Sequence, residues 1–267
     1  LAVIFFSIVL GMAITALPEK QYKQVHVFFD NLFQVMMKLT QGVIMFLPLG
    51  VFGLISKAVA STGFELFRAV GWYIVTIATG LTLHLFVVLP LVFWLLTRIN
   101  PLKHFKAIAS AMATAFSTSS SGATLPVTMD CVENRAGVSN RVTSFVLPLG
   151  ATINMDGTAL YECAGVLFIS QALGFDLSFT QQFIVVITAF LASVGAAAIP
   201  SAGLVMIFIV LDAVGLGNHP QAAIIVGTML AVDRPLDMFR TVVNVTSDTM
   251  GAVIIAKSEG ENVLSEV

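Results

Sequence analysis

Charge is what this sequence has least of. Only 10% of its 267 residues are charged, whereas 57% are apolar, and the mean hydropathy is +0.95. Soluble domains carry about 25% charged residues, so there are too few charges here to cover a water-facing surface. Residues 69–97 and 177–211 contain no Asp, Glu, Lys or Arg, and a helix of about 20 apolar residues can cross a bilayer. The sequence therefore favours a membrane protein over a soluble all-α enzyme.

Metal-ligand patterns are also scarce. The two cysteines, Cys131 and Cys163, follow no metal-binding spacing, and the four histidines are scattered. The net charge of −2 gives no basic surface for nucleic acid, and we expect no cofactor. The uncharged first run lacks the basic start and the cleavage site of a signal peptide. Because the chain begins at Leu1, we expect it to be a fragment whose N-terminal part is missing.

Two segments interrupt the helical pattern. Residues 107–129 are rich in Ser and Thr around Ser119–Pro126, and basic residues flank both ends. Gly and Pro break helices, hydroxyls satisfy freed backbone groups, and basic loops prefer the cytoplasm. This pattern predicts a re-entrant hairpin that enters from the cytoplasm. Residues 177–211 repeat it around Ser193–Gly203, with acidic flanks, which predicts a second hairpin from the opposite side.

The predicted fold is an all-α membrane protein with transmembrane helices, two oppositely oriented re-entrant helical hairpins and inverted repeats. Residues 1–60 form scaffold helices, namely the end of a fourth span and a fifth span. Residues 61–267 form a sixth span and a transport core. Within this core we predict a hairpin at about 107–134, a broken span at about 139–170, a hairpin at about 177–216 and a last span at about 219–256.

The predicted last span carries a polar stripe on an otherwise apolar helix. Six residues fall within an arc of about 100°: Asp233, Asp237, Arg240, Thr241, Asn244 and Asp248. Charges inside a membrane are costly and usually line a site or a cavity. Because the acids outnumber the bases, the pattern indicates that cations supply part of the charge. A salt-bridge network that serves only packing is the alternative.

The preceding span contains Asn154-Met155-Asp156-Gly157-Thr158. Gly157 allows an unwound turn, whose carbonyls and a nearby carboxylate would suit alkali cations. An ordinary turn is the alternative. Glu162 follows Thr158 by one helical turn. With no base in its own helix it could carry a proton, or it could be a structural residue that pairs with a donor elsewhere.

Together these motifs resemble the glutamate transporter family, the dicarboxylate/amino acid:cation symporters, over nearly the whole chain. The carrying elements are Ser119–Pro126, Asn154–Thr158, Ser193–Gly203 and the last span from Asp237 to Asp248. The resemblance implies that the chain begins in the fourth span of about eight. It also implies a substrate site for an acidic amino acid, formed by Ser121, Thr158, Asp237, Arg240, Thr241 and Asn244.

The resemblance further implies three sodium sites. Gly150, Asn154 and Asp248 match one, Thr152 and Ser193 a second, and Asp156 a third. Glu162 matches the proton carrier of the proton-coupled members. Ser119 and Met238 stand where many members have an additional arginine; Arg234 is a possible substitute for it. Pro235 should kink the last span.

We therefore expect a non-enzyme: a secondary symporter that moves glutamate or aspartate with Na⁺ and possibly H⁺ by an alternating-access elevator mechanism. The resemblance implies a homotrimer surrounded by membrane lipid. Short loops and a short tail favour the inner membrane of a bacterium. The alternatives are a C4-dicarboxylate carrier, a neutral amino acid carrier, and an ion channel with re-entrant loops.

Overall fold

The structure, a computed structural model, describes residues 2–46, 49, 52–53, 56, 60, 65–196 and 201–264. Every regular element in this part of the chain is helical, and no strand occurs in it. The first two helices are α1 (Ala2–Thr15) and α2 (Glu19–Ile44), which pack against each other. Much of the apolar surface of α2 is exposed, including Phe28 and Met36. The predicted all-α class is thus confirmed.

The next three segments form one continuous rod. Helix α3 (Glu65–Leu83) passes through a π-helical turn (His84–Val88) into α4 (Leu89–Thr97). Among the described residues, 70–97 form the single helix that is long and apolar enough to cross a membrane. The rod ends at Arg98, whose φ of 59° is left-handed and whose guanidinium lies 4.9 Å from the centre of the Trp94 ring. An Arg on a Trp face is a favourable cation–π arrangement.

Two pairs of short helices follow the rod. After α5 (Pro101–Ala107), the first helix pair consists of α6 (Ala109–Thr118) and α7 (Ser121–Asp130), and a π-helical segment (Cys131–Arg135) extends α7. The second helix pair consists of α10 (Phe179–Val194) and α11 (Ala202–Ala213). Within each pair the two helices pack on one another. Residues 197–200 of the predicted second tip lie outside the described residues.

The two tips share a backbone feature. Ser119 has a φ of 52° and Ser201 a φ of 60°, so each turns through the left-handed region that side chains other than glycine rarely adopt. At the first tip, Ser120 then caps α7 because its hydroxyl accepts a hydrogen bond from the Ala123 amide at 3.1 Å. Re-entrance of the pairs and their inverted relation stay predictions.

A broken rod and a long helix form the centre. Helix α8 (Asn140–Ile153) and helix α9 (Asp156–Ala172) are separated by a non-helical step at Asn154 and Met155. The predicted unwinding at Gly157 is therefore displaced toward the N-terminus, and Gly157 itself is helical. Helix α12 (Ala222–Ser258) runs through Pro235 and packs against α3, α6, α8 and α9.

Helix α12 is buried along most of its length from Leu236 onward. A helix buried on nearly all sides needs every polar group on it to be partnered or functional. By contrast, the outward faces of α4 and α10 are apolar and exposed, as Leu95 and Phe183 show. Apolar outer surface around a polar centre reverses the usual arrangement of a soluble protein and suits a lipid environment.

Candidate functional site

A small polar cavity of about 20 Å³ lies where both helix pairs, the α8–α9 break and α12 meet. It is lined by Ser119, Ser121, Met155, Thr158, Ala202, Gly203, Asp237, Arg240, Thr241 and Asn244. All six residues predicted to bind substrate are in this list. Distant parts of the chain therefore converge at one cavity, although the predicted roles of these six residues are not thereby tested.

Arg240 carries the positive charge of the cavity. Its guanidinium is buried and pairs with Asp237, at 2.6 Å from Nη2 and 2.9 Å from Nε to the same carboxylate oxygen. Asp233 lies 3.6 Å from Nη1, which is too long for a hydrogen bond. Nη1 has no hydrogen-bond partner among the described residues. This arm of the guanidinium therefore faces an anion but makes no hydrogen bond, which leaves its N–H groups for a carboxylate.

An aromatic ring supports this guanidinium from one side. The Tyr161 ring lies 4.2 Å from the guanidinium carbon of Arg240, and Tyr73 packs edge-on against Tyr161. A cation on a buried aromatic face is stabilised and held in orientation. Sequence reasoning missed Tyr161 and Tyr73, because an aromatic residue in an apolar helix is usually ordinary core.

The second helix pair closes the cavity at its tip. The Ser201 backbone N–H donates to the second oxygen of Asp237 at 2.9 Å. A Cβ placed on Gly203 would lie 3.0 Å from Arg240 Nη1, so the backbone comes directly against the guanidinium. Asp237 is thus satisfied by Arg240 and by the tip in the absence of a ligand.

The opposite wall comes from α9. The Asn244 side chain accepts from the Gly157 amide at 2.8 Å and donates to the Thr158 hydroxyl at 3.0 Å. A Cβ on Gly157 would lie 2.8 Å from the Arg240 carbonyl oxygen. Gly157 therefore permits close contact between α9 and α12, which differs from the unwinding role predicted for it.

The residues predicted for the first sodium site lie together. Asn154 Nδ2 donates to Asp248 Oδ1 at 2.9 Å, and that carboxylate lies so close to Gly150 that a Cβ there would come within 2.6 Å. The Gly150 carbonyl at the end of α8 accepts a hydrogen bond from the Asn154 backbone amide at 2.8 Å. A carboxylate, a side-chain amide oxygen and a backbone carbonyl are hard oxygen donors, the type that alkali cations bind.

Asp156 has two partners of its own. Ser247 donates to one oxygen at 2.8 Å, and His84 Nε2 lies 2.6 Å from the other. Sequence reasoning set His84 aside as one of four scattered histidines. A signal was present, since His84 interrupts an apolar span, and an ionisable residue in such a span usually serves function.

Thr152 and Ser193, predicted as a second sodium site, are not joined by a hydrogen bond. The Thr152 hydroxyl donates to the Leu149 carbonyl at 2.8 Å, and the Ser193 hydroxyl to the Phe190 carbonyl at 2.8 Å. Among the described residues, no cluster of three or more His, Cys, Asp and Glu side chains could hold a metal ion.

Glu162 is fully buried, and neither carboxyl oxygen has a hydrogen-bond partner in the described part of the chain. It interacts electrostatically with Arg240 from α12. The base missing from its own helix is therefore supplied by another helix. Burial without hydrogen bonds is far less costly for a neutral carboxylic acid than for a carboxylate.

The chain is similar to known proteins over nearly all of its length. The sodium:dicarboxylate symporter family profile matches residues 1–258. Excitatory amino acid transporter 3 of Mus musculus is 45% identical over 258 residues, which are 96% of this chain and 48% of that protein. An excitatory amino acid transporter of Caenorhabditis elegans is 44% identical over 257 residues, 96% of this chain and 50% of that protein. The chain spans about half the length of the curated relatives it matches.

Proposed function

The chain belongs to the sodium:dicarboxylate symporter family, and from this we propose that the whole protein is an integral membrane symporter that carries glutamate or aspartate with Na⁺. The observation that carries the proposal is the ion pair between Arg240 and Asp237 in the cavity. Among the described residues, Arg240 Nη1 has no hydrogen-bond partner. The names of the relatives, excitatory amino acid transporters, support the same substrate class.

An acidic amino acid fits these two charges. Its side-chain carboxylate would bind the guanidinium of Arg240, and its ammonium would bind Asp237. The two charged groups of the substrate would thereby join the internal ion pairs that Arg240 makes with Asp237 and Asp233. A C4-dicarboxylate has no ammonium to offer Asp237, which argues against that rival.

The neutral amino acid rival needs a different argument. Asp233 and Asp237 both lie beside Arg240, so a neutral substrate would not leave its charge without an anion. The argument against this rival is instead that Arg240 Nη1 makes no hydrogen bond in the described residues. A buried charged donor without a hydrogen bond is costly, and a substrate carboxylate would accept one from it.

Cation coupling follows from the sum of charges. Arg240, Asp233 and Asp237 carry a formal charge of −1, and an acidic amino acid adds another −1. Two further acids of α9 and α12 add to this charge: Asp248 is buried and Asp156 is partly exposed. They lie near each other, since Ser247 contacts Asp156 and Asn154 contacts both Ser247 and Asp248. Buried net charge of this size requires compensation, and Na⁺ at Asp248 and Asp156, with a proton at Glu162, would supply it.

The test is uptake of labelled substrates by the full-length protein in liposomes. Arg240→Ala should lower acidic amino acid uptake by roughly 30-fold or more, since removing one member of a buried charged pair costs about 2–5 kcal/mol. Small neutral amino acids should then be accepted. Arg135→Ala, which removes an exposed base, is the control.

Two results would contradict the proposal. Unchanged affinity for glutamate and aspartate in Arg240→Ala would remove Arg240 from the site. An ohmic conductance that does not saturate with substrate would favour the ion channel.

The remaining expectations stand as predictions. The homotrimer, the elevator movement, the surrounding lipid, the division into scaffold (1–60) and transport core (61–267), and the bacterial inner membrane rest on the resemblance and on loop length. The relatives reported above are animal proteins. Cross-linking in membranes would test the trimer.

A further inference from the structure

The segment after the last helix folds back on the loop that follows the first helix pair. We call residues 259–264 the clasp and residues 136–141 the loop. The Leu264 amide donates to the Ala136 carbonyl at 2.8 Å. The Ser139 amide and hydroxyl both donate to the Glu261 carboxylate, at 2.8 Å and 2.5 Å. Ser139 and Glu261 lie 122 positions apart in the chain.

Further contacts strengthen this attachment. Glu259 forms an ion pair with Arg141, and the Lys103 ammonium lies 3.5 Å from the Leu264 carbonyl. Val263 and Leu264 are only 4% and 3% exposed, although the residues just before them are polar and more exposed. A segment that buries apolar side chains and satisfies backbone groups is packed against its neighbours.

The position of these contacts decides what the clasp can do. Lys103 lies in α5, before the first helix pair, and the loop lies after it. The clasp therefore contacts the chain on both sides of the pair, at Lys103 before it and at the loop after it, while it remains covalently attached to α12. At this end of the pair, the Cys131 sulfur lies 3.1 Å from the Ser110 hydroxyl and is fully buried.

We propose that the clasp holds the first helix pair closed against the last helix, and that its release lets the two arms of the pair separate. The occupant of the loop surface is thus a segment of the same chain. The proposal concerns the opening of the pair and is independent of which substrate the protein carries.

The charges around Glu261 suit this role. Hydrogen bonds from the Ser139 hydroxyl and amide, together with the charge of Arg141, lower the pKa of Glu261 below its ordinary value of 4.5. The interactions that lower this pKa stabilise the closed form at pH values above 4.5. This stabilisation is lost as the pH falls through the lowered pKa. The other charged groups at this contact are Glu259 within the clasp, Lys103 facing it, and Glu133, which accepts a hydrogen bond from Asn140 of the loop. At neutral pH the contact is therefore fully formed.

The buried thiol of Cys131 provides the measurement. In full-length protein carrying Cys163→Ser, the rate at which N-ethylmaleimide modifies Cys131 reports how often the arms separate. Glu261→Ala should raise that rate about tenfold, because both hydrogen bonds from Ser139 are then lost together. Glu19→Ala, which removes an exposed acid paired with Lys23 in α2, is the matched control.

A milder pair of variants guards against misfolding. Ser139→Ala keeps the hydrogen bond from the Ser139 backbone amide to Glu261, and Glu261→Gln keeps a hydrogen-bond acceptor. Each variant should therefore give an intermediate rate of Cys131 modification. If Cys131 reacts at the same slow rate in well-folded Glu261→Ala, Glu261→Gln and Ser139→Ala protein, the clasp does not hold the pair closed and the proposal is overturned.

Discussion

At the scale of single residues, the cavity is defined by an imbalance of charge. Arg240 is the one base fully enclosed there among the described residues, and three acids surround it: Asp233, Asp237 and Glu162. Arg234 is half exposed and reaches Asp237 only at 3.7 Å. It therefore adds little charge to the buried site. The acids must be neutralised by ligands or protons for the cavity to persist in an apolar surrounding.

Asp248 should be one of the residues that bind the neutralising cation. Its carboxylate contacts Asn154 and lies against Gly150 at the end of α8. We predict that Asp248→Asn lowers the apparent sodium affinity and the substrate affinity together, by about tenfold each, because binding linkage is reciprocal. Substrate uptake measured over a series of sodium concentrations gives both values.

The control for this change is Asp176→Asn, which removes the charge of an exposed loop acid and should leave both affinities unaltered. A fall in substrate affinity with an unchanged sodium dependence in Asp248→Asn would show that Asp248 acts on the substrate alone and is no sodium ligand.

The sequence predicted these residues with uneven success. The polar stripe on α12 could be predicted because a helical period is local, and every member of it is buried as a stripe facing a polar site requires. The contact between His84 and Asp156 could not be predicted, because the two residues lie 72 positions apart. No local pattern specifies how the helices that carry them are rotated relative to each other. Asp233 was placed on the stripe, but its position beside Arg240 required the folded chain.

At the scale of elements, Gly157 sets how closely α9 approaches α12. A Cβ on this residue would meet the Arg240 carbonyl at 2.8 Å and the Asn244 amide oxygen at 3.0 Å. The first contact is with backbone, which cannot rotate away. We predict that Gly157→Ala destabilises the protein by about 1–3 kcal/mol and also weakens substrate binding, because Asn244 must move. Thermal unfolding in detergent and substrate titration measure the two effects.

Gly71 offers the matched control, since it is also helical and its Cβ would meet no described atom within 4 Å. Gly71→Ala should be neutral or stabilising by up to about 1 kcal/mol, the helix propensity difference. Equal unfolding temperatures for the two variants would contradict the packing role assigned to Gly157.

Element types were easier to predict than their breaks. The Ser-rich and Gly-rich segments predicted interruptions, and left-handed Ser119 and Ser201 lie within them. The break between α8 and α9 lies at Asn154 and Met155, whereas Gly157 was expected to unwind. In the sequence, a glycine that permits a turn looks the same as one that permits a close helix contact. The two roles are distinguished only by the position of the neighbouring helix.

At the scale of the whole molecule, the arrangement is polar at the centre and apolar outside. Composition predicted this, because 10% charged residues cannot cover a water-facing surface. It did not predict that the tail would fold back on the loop, because Glu261 and Ser139 are ordinary polar residues in sequence. Their pairing depends on where α12 ends relative to the first helix pair. Long-range surface contacts of this kind carry no periodic signal.

Proton coupling is the last prediction and belongs to this scale, because it requires one group to meet both sides of the membrane in turn. Glu162 has no hydrogen-bond partner in the described structure and lies within electrostatic reach of Arg240. In the empty cavity Arg240 attracts the carboxylate form. Burial opposes this attraction and favours the neutral acid. A bound substrate carboxylate would neutralise Arg240 and favour the neutral acid further, so proton binding and substrate binding would be coupled.

Glu162→Gln preserves the shape of the side chain and removes the proton. If Glu162 is the carrier, uptake by this variant should become nearly insensitive to external pH between about 6 and 8 while substrate still binds, because the group that carries the proton is then gone. Glu133→Gln, a change in the partly exposed end of the first helix pair, should keep the pH dependence. A structural Glu162 predicts the opposite pattern: the variant would lose thermal stability and retain pH-driven uptake. Because the two readings differ in flux as well as in stability, well-folded Glu162→Gln protein that still couples uptake to a pH gradient would exclude the carrier role.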